Sequence, residues 1–219
     1  MIKLVAFDME GCLTDDPTVW EIMHRKWGTW DSYGALYWER YKAGEFGYDE
    51  FARMDVAAWE GAPRDMLSES VREVPLMPGC RELLGGLSER GLRTVIITNG
   101  LACLAERFRC EFGVERVYGN TLEMNGRCLT GGINLRVPFR AKGDVLSELA
   151  LELDLASEQI AAVGDGRADV GMFRVAGTSV AFCPAHSSVA EQASHVVRRR
   201  DLRPLLPLLT DRVEVSAPR

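Results

Sequence analysis

The sequence predicts an α/β fold: a Rossmann-like parallel sheet covered by helices, carrying a small α-helical cap and a β-hairpin. Three observations predict it. Short runs apolar on both faces recur at 2–7, 92–98, 160–164 and 178–182, as strands buried on both sides of a parallel sheet require. Amphipathic stretches of helical period alternate with them at 79–90, 101–112, 141–153 and 168–176, giving the βαβ rhythm. Three of the runs end on an acid or a hydroxyl, at Asp8, Thr98 and Asp165.

The first run, Leu4-Val5-Ala6-Phe7, stops at Asp8 and reads as a buried strand. From 15 to 76 the strand pattern vanishes. That stretch holds Trp20, Trp27, Trp30, Trp38 and Trp59, all 5 tryptophans of the chain. Gly28, Gly44, Gly47 and Gly61 divide it into about four short helices. It reads as a helical cap domain inserted into a core formed by 1–14 and 77–219. Pro78-Gly79 opens the next helix and Gly91 closes it, in accord with helix start and stop chemistry. Between 120 and 137, polar and apolar residues alternate about Asn125-Gly126, the signal of a hairpin with a type I′ turn.

With 219 residues, 47% apolar and 26% charged, the chain can bury a sizeable core. A net charge of −6 argues against a broad nucleic-acid or anionic-membrane surface, and Arg198-Arg199-Arg200 reads as a solvated turn. No apolar run reaches membrane-spanning length and the start lacks a signal-peptide pattern, so a cytoplasmic protein is expected. Cys12, Cys80, Cys103, Cys110, Cys128 and Cys183 show no zinc-like spacing and are expected as reduced thiols, Cys12 being a small filler in a turn. His24, His186 and His195 are isolated and read as helix-face or surface residues, not metal ligands. Monomer and homodimer are both open.

Four segments carry chemistry. Asp8-Met9-Glu10 places two acids two residues apart at a strand's carboxyl end, where ligands of open α/β sheets bind. Thr98-Asn99-Gly100 supplies a hydroxyl, an amide and a glycine at the end of a second strand, donors suited to a phosphate. Lys142 opens the helix after the hairpin. Asp165-Gly166-Arg167-Ala168-Asp169 ends a third strand with two more acids. Each alone is a common cap or turn; three strand ends delivering acid, hydroxyl and acid in order, with a lysine between, are not.

This set resembles the haloacid dehalogenase superfamily of aspartate-nucleophile phosphatases, and its phosphoserine phosphatase branch in particular. The similarity covers nearly the whole chain and is close from Pro75 to Leu206, with Gly119-Asn120-Thr121-Leu122-Glu123, Leu129-Thr130-Gly131 and Ala141-Lys142-Gly143 among the matching segments. The resemblance implies a Mg²⁺-dependent hydrolase of a small phosphorylated metabolite. Asp8 would attack phosphorus, and Glu10, where the family usually has a second Asp, would protonate the leaving alcohol and then activate water. Asp8, the backbone carbonyl of Glu10 and Asp165 would hold Mg²⁺, with Asp169 supporting the metal waters or orienting Lys142. Thr98 and Lys142, with Asn99 and Gly100, would bind the phosphoryl oxygens.

The cap departs from the branch. Phosphoserine phosphatases use a Glu shortly after the first motif and a cap Arg for the amino acid part of the substrate. Ungapped alignment puts Pro17 and Asp55 at those positions, with Arg53 two residues away on a different helix face. An acid there repels a carboxylate, so phosphoserine is not the expected substrate. Trp20 and Trp59, with Asp55 and Arg53, are expected to line a pocket for a sugar, polyol or nucleoside phosphate. Glu10 and Ala168, which replaces a usual Asn, leave two other readings open: phosphate transfer to an alcohol, and a catalytically inactive binding protein.

Overall fold

The computed structural model describes residues 1–210, so the expected core segment 77–219 is followed to Thr210 and 211–219 lie outside the described residues. Seven strands form one sheet: β1 (Leu4–Phe7), β2 (Arg93–Leu101), β3 (Arg116–Asn125), β4 (Cys128–Asn134), β5 (Ile160–Gly164), β6 (Thr178–Phe182) and β7 (His195–Val197). Their order is β4-β3-β2-β1-β5-β6-β7, parallel throughout except for the β3–β4 hairpin. In chain order the α-helices are α1 (Val19–Lys26), α2 (Ala35–Lys42), α3 (Tyr48–Ala57), α4 (Arg64–Glu73) and α5 (Cys80–Glu89). They continue with α6 (Ala102–Phe112), α7 (Lys142–Glu152), α8 (Val170–Val175), α9 (Ser187–Ala190) and α10 (Leu205–Thr210).

The two-residue period of the strands divides the core. Leu4 and Ala6 pack with Val95, Ile97, Ile160 and Ala162 on one face, while Val5 and Phe7 pack with Ile96, Ala161, Val163 and Val180 on the other. Both faces are covered, which is why the strands read as unbroken apolar runs. β1 is central. The chain builds β2 and β3 on one side of it, then returns to build β5, β6 and β7 on the other. Phe7 pairs with Ile96 on one side and Val163 on the other, so Asp8 leaves the sheet at the point where strand order reverses, the usual ligand crevice of such folds.

The hairpin falls where alternation predicts it, but its turn differs. Asn125 pairs with Cys128, leaving Gly126 and Arg127 as the loop, and of these only Gly126 has positive φ, at 61°. That fits a type II′ turn, which needs one such residue first, and not the type I′ turn expected from Asn-Gly. Two strands were not evident from pattern: β7, only three residues long and half-exposed, and the first half of β3, which pairs in parallel with β2. β2 also runs on to Leu101, so Asn99 and Gly100 lie within a strand.

Residues 15–76 hold α1 to α4 and a π-helical turn at Trp30–Gly34. The chain leaves and re-enters the core through one paired neck: Asp15 N–H donates to Pro75 O and Met77 N–H to Leu13 O, each at 2.9 Å. Thr18 caps α1 by accepting from Glu21 N–H at 3.3 Å. Backbone bonds then fasten this insertion to the hairpin, Gly61 N–H to Leu129 O at 2.9 Å and Arg64 N–H to Arg127 O at 2.8 Å.

α7 and α8 approach through Gly143 and Gly171. A Cβ on Gly143 would lie 2.9 Å from the Gly171 carbonyl carbon and oxygen, against backbone that cannot yield cheaply. Gly143→Ala is expected to lose about 1–3 kcal/mol of stability in urea unfolding through overpacking; an unchanged midpoint would mean that the helices have room to separate.

Candidate active site

The strand ends deliver their side chains to one crevice. Asp8 N–H donates to Val163 O at 2.9 Å, tying the residue after β1 to β5, and its Oδ1 accepts from Met9 N–H at 2.6 Å. The next turn wraps on one carbonyl: Met9 O accepts from Leu13 N–H at 2.8 Å and from Thr14 N–H at 2.9 Å. Gly11, with φ of 80°, makes that turn possible. It also leaves space, since a Cβ there would lie 2.8 Å from Asp165 Oδ2.

Lys142, at the first position of α7, is 2% exposed. Its Nζ lies 2.7 Å from Asp8 Oδ1 and 2.6 Å from Asp169 Oδ1. Burial alone would lower its pKa, but Asp169 and Asp8 outweigh that and hold it above the ordinary lysine range. Asp169 Oδ2 in turn accepts from Asp165 N–H at 3.0 Å and Gly166 N–H at 2.9 Å, which fixes the loop after β5. Gly164 is required here because any Cβ would collide with the Asp169 carboxylate.

Carboxylate oxygens of Asp8, Asp165 and Asp169 lie within 4.8 Å of one another. Burial first, then repulsion from Asp8 and Asp169, pushes the Asp165 pKa well above the usual carboxylate range; burial raises Asp169 as well. One lysine facing three acids leaves negative charge unneutralised. The donor set, all hard oxygen, fits a small divalent cation such as Mg²⁺. His24 is not near it. The imidazole is fully buried in the helical insertion, with Nδ1 2.8 Å from Thr29 Oγ1 and Nε2 3.2 Å from Asp55 Oδ1, so the expectation of an isolated helix-face or surface residue is corrected. Cys12 is buried beside the site, and burial followed by the charge of Asp8 keeps its thiol protonated, in keeping with a filler.

Thr98 is 2% exposed, and its Oγ1 accepts from Gly100 N–H at 2.9 Å. Asn99 turns elsewhere: its amide donates to Val137 O and Pro138 O, both at 2.9 Å. Its side chain therefore ties β2 to the loop before α7 and is not offered to a phosphate. Gly100 is placed for close approach, since a Cβ there would meet Glu10 Oε2 at 2.5 Å. That oxygen accepts from Trp20 Nε1–H at 3.1 Å, while Glu10 Oε1 is buried without a hydrogen bond. Burial, only partly opposed by the Trp20 bond, raises the Glu10 pKa to about 7.

Beyond Glu10 and Gly11 a cavity of about 290 Å³ opens under the helical insertion. Trp20, Trp30, Trp38, Tyr48, Phe51 and Asp55 supply much of its wall. Two expected members are absent from that wall. Trp59 is fully buried behind it, its ring 5.5 Å from Trp20 and 5.2 Å from His24, because it fills the insertion's own core. Arg53 faces solvent and donates to Asp49 O at 3.2 Å, one turn back on α3. Trp30, Trp38 and Tyr48 were not anticipated. Tyr48 is a first-turn residue of α3 packed near Phe139, at 6.1 Å between ring centres. Burial and then the charges of Glu10 and Asp8 push its pKa well up. Only its place shortly after Gly47, facing the same way as Phe51 and Asp55, could have hinted at this.

The raised Glu10 pKa has a stability consequence. In the unfolded chain this carboxyl ionises near its ordinary 4.5, and in the folded chain at about 7. Its protonated form stabilises the fold below 4.5, and that contribution is lost as pH rises through about 7. In metal-free buffer, Glu10→Gln should raise stability at pH 8 by on the order of 3 kcal/mol and change it little at pH 4.5. Equal effects at both pH values would contradict a buried neutral carboxyl.

Comparison with known proteins places this site in a family. The model of haloacid dehalogenase-like hydrolases matches residues 5–174. A phosphoserine phosphatase from Archaeoglobus fulgidus is 30% identical over 82% of this chain and 52% of its own length. Another from Methanocaldococcus jannaschii is 27% identical over 93% of this chain and 96% of its own. Among solved structures, a phospho-aspartyl intermediate analogue of phosphoserine phosphatase superposes with a TM-score of 0.83 at 24% identity, covering 95% of this chain and 99% of that one. A hydrolase of the same family from Salmonella enterica serovar Typhi reaches 0.86 at 25% identity, covering 96% and 72%. With its α/β fold and its acids at the strand ends, the chain belongs to the haloacid dehalogenase-like hydrolase family, in the phosphoserine phosphatase-like branch of phosphatases.

Proposed function

We propose that the chain is a Mg²⁺-dependent hydrolase of a small phosphate monoester, with Asp8 as nucleophile and Glu10 as acid and base. The observation that carries this reading is the contact of Lys142 Nζ with both Asp8 and Asp169, at 2.7 and 2.6 Å, beside the buried Thr98 hydroxyl. A buried ammonium and a hydroxyl next to an unobstructed carboxylate suit an incoming phosphoryl group.

An Asp8 carboxylate oxygen attacks phosphorus and the bond from phosphorus to the ester oxygen breaks. The departing oxygen takes the Glu10 proton, leaving a free alcohol and an aspartyl-phosphate. Glu10, now ionised, takes a proton from water as that water attacks phosphorus, and phosphate leaves Asp8 restored. Glu10 suits both halves because its pKa of about 7 lets either form exist near neutral pH. Mg²⁺ held by Asp8 and Asp165, with Asp169 in support, would shield the nucleophile from the anionic phosphate. Lys142 and Thr98 orient the phosphoryl oxygens, and Asp169 holds Lys142 in place.

Residues 15–76 act as a cap that covers the ester and excludes water from the first half-reaction. No lysine or arginine is among the residues lining the cavity beneath it. That supports an organic group without a carboxylate. The relatives' names favour a second reading, phosphoserine itself. Support for a sugar or nucleoside is weaker than the sequence suggested, because Trp59 and Arg53 do not face the cavity. Six free thiols accord with a reducing, cytoplasmic setting. Among the described residues no helix is long and apolar enough to cross a membrane.

Phosphate release from a panel of monoesters with Mg²⁺ tests the reaction; it should disappear with chelator and with Asp8→Asn. The ratio kcat/KM should fall as pH rises above about 7, since the acid form of Glu10 is needed first. Glu10→Gln should lower kcat by about 10²–10⁴-fold and flatten that limb. A profile that keeps its limb in Glu10→Gln would assign the titration to another group.

A further inference from the structure

We propose that the ester's organic group is a small amine, cationic at neutral pH and free of carboxylate, held in the aromatic cavity beside Asp55. The inference rests on the hydrolase reading and names its substrate class.

The wall of the cavity combines two features that select for positive charge. Trp20, Trp30, Trp38, Tyr48 and Phe51 line it, and aromatic faces attract ammonium groups more strongly once water is excluded. Asp55, 1% exposed, lines the same space and adds an acid to the aromatic wall. His24 Nε2, 3.2 Å from Asp55 Oδ1, is the partner of that oxygen inside the insertion. Glu10, the general acid of the proposed reaction, also lines the cavity, and its Oε1 is buried without a hydrogen bond. An acid set in a largely aromatic wall favours a ligand of opposite charge. An alkylammonium, with or without N–H donors, brings a charge of that sign.

Other ligands fit less well. A carboxylate would enter a wall holding acids and no lysine or arginine. Polyol hydroxyls could donate to Asp55, yet they carry no charge for the rings to attract. A cavity of about 290 Å³ is at the small end for ligand sites, which suits an ester whose nitrogen is only a few atoms from the phosphate. The rings already attract cations on the outside of the insertion: the Arg25 guanidinium stands 4.9 Å from the Trp30 ring centre and Lys42 Nζ 5.6 Å from that of Trp38.

The decisive comparison uses phosphocholine and its uncharged carbon isostere, 3,3-dimethylbutyl phosphate, beside phosphoethanolamine, glycerol phosphate and phosphoserine. Wild-type protein with Mg²⁺ should turn over the two cationic esters with kcat/KM about tenfold or more above the isostere and the other two. Binding to Asp8→Asn protein, followed by tryptophan fluorescence, should show the same order in Kd. Asp55→Asn should lower the charged-to-neutral ratio severalfold. If that variant does not fold, Trp38→Leu, at a rim position 42% exposed, should shrink the ratio instead. Turnover or binding of the isostere equal to that of phosphocholine, or a preference for phosphoserine, would overturn the inference while leaving the hydrolase reading intact. Selective binding of the amines without turnover of any ester would uphold the inference and remove the hydrolase reading.

Discussion

Everything at the crevice depends on the buried ammonium of Lys142. Asp8, after β1, and Asp165 and Asp169, after β5, repel one another, and burial strengthens that repulsion. A lysine between Asp8 and Asp169 makes their proximity tolerable. It does so only because α7 starts there, and α7 can sit there only because Gly143 and Gly171 allow the two helices into contact. Removing either partner of a buried pair typically costs about 3–5 kcal/mol, so this charge network serves the fold as much as the chemistry. The remaining negative charge is what a divalent cation would complete.

Glu10 is the joint between two environments. On one side is the charged crevice, on the other the aromatic cavity, and the Oε2 atom meets both, beside Gly100 and on Trp20 Nε1–H. The extra methylene relative to aspartate lets it contact Trp20 of the helical insertion while lying over Gly100 of β2. As the proposed acid and base, Glu10 would feel whether those helices are in place. Its protonation would then be coupled to the cover that they give.

Much of the core was legible because its signals are local. Strands buried on both faces announce themselves as apolar runs, and acids directly after such runs mark the crevice. β7 and the parallel half of β3 were not legible: three residues carry no period, and β3 was hidden by its longer hairpin half. In the helical insertion the difficulty was of another kind. Helical spacing shows that residues share a face, but not whether that face meets its own domain or a ligand. Trp59 and Trp20 therefore looked equivalent, and only packing separates the fully buried ring from the one at the wall. Arg53 and Asp55 are two residues apart on one helix, and that offset was enough to send one to solvent and the other inward. Asn99 was misjudged because its neighbours in sequence face the crevice; its amide instead serves carbonyls nearly forty residues away, at Val137 and Pro138.

The neck at Asp15–Pro75 and Leu13–Met77 brings the two ends of the helical insertion side by side through backbone bonds. Because these ends close on each other, whatever lies between them places no demand on the register of the sheet. Helices can be lengthened, shortened or replaced there at the small entropic cost of a longer loop. The crevice at the strand ends and the cavity beneath the insertion are thus separable modules, free to diverge at different rates. A chain can keep its relatives' chemistry at the strand ends while exchanging the clientele admitted above them.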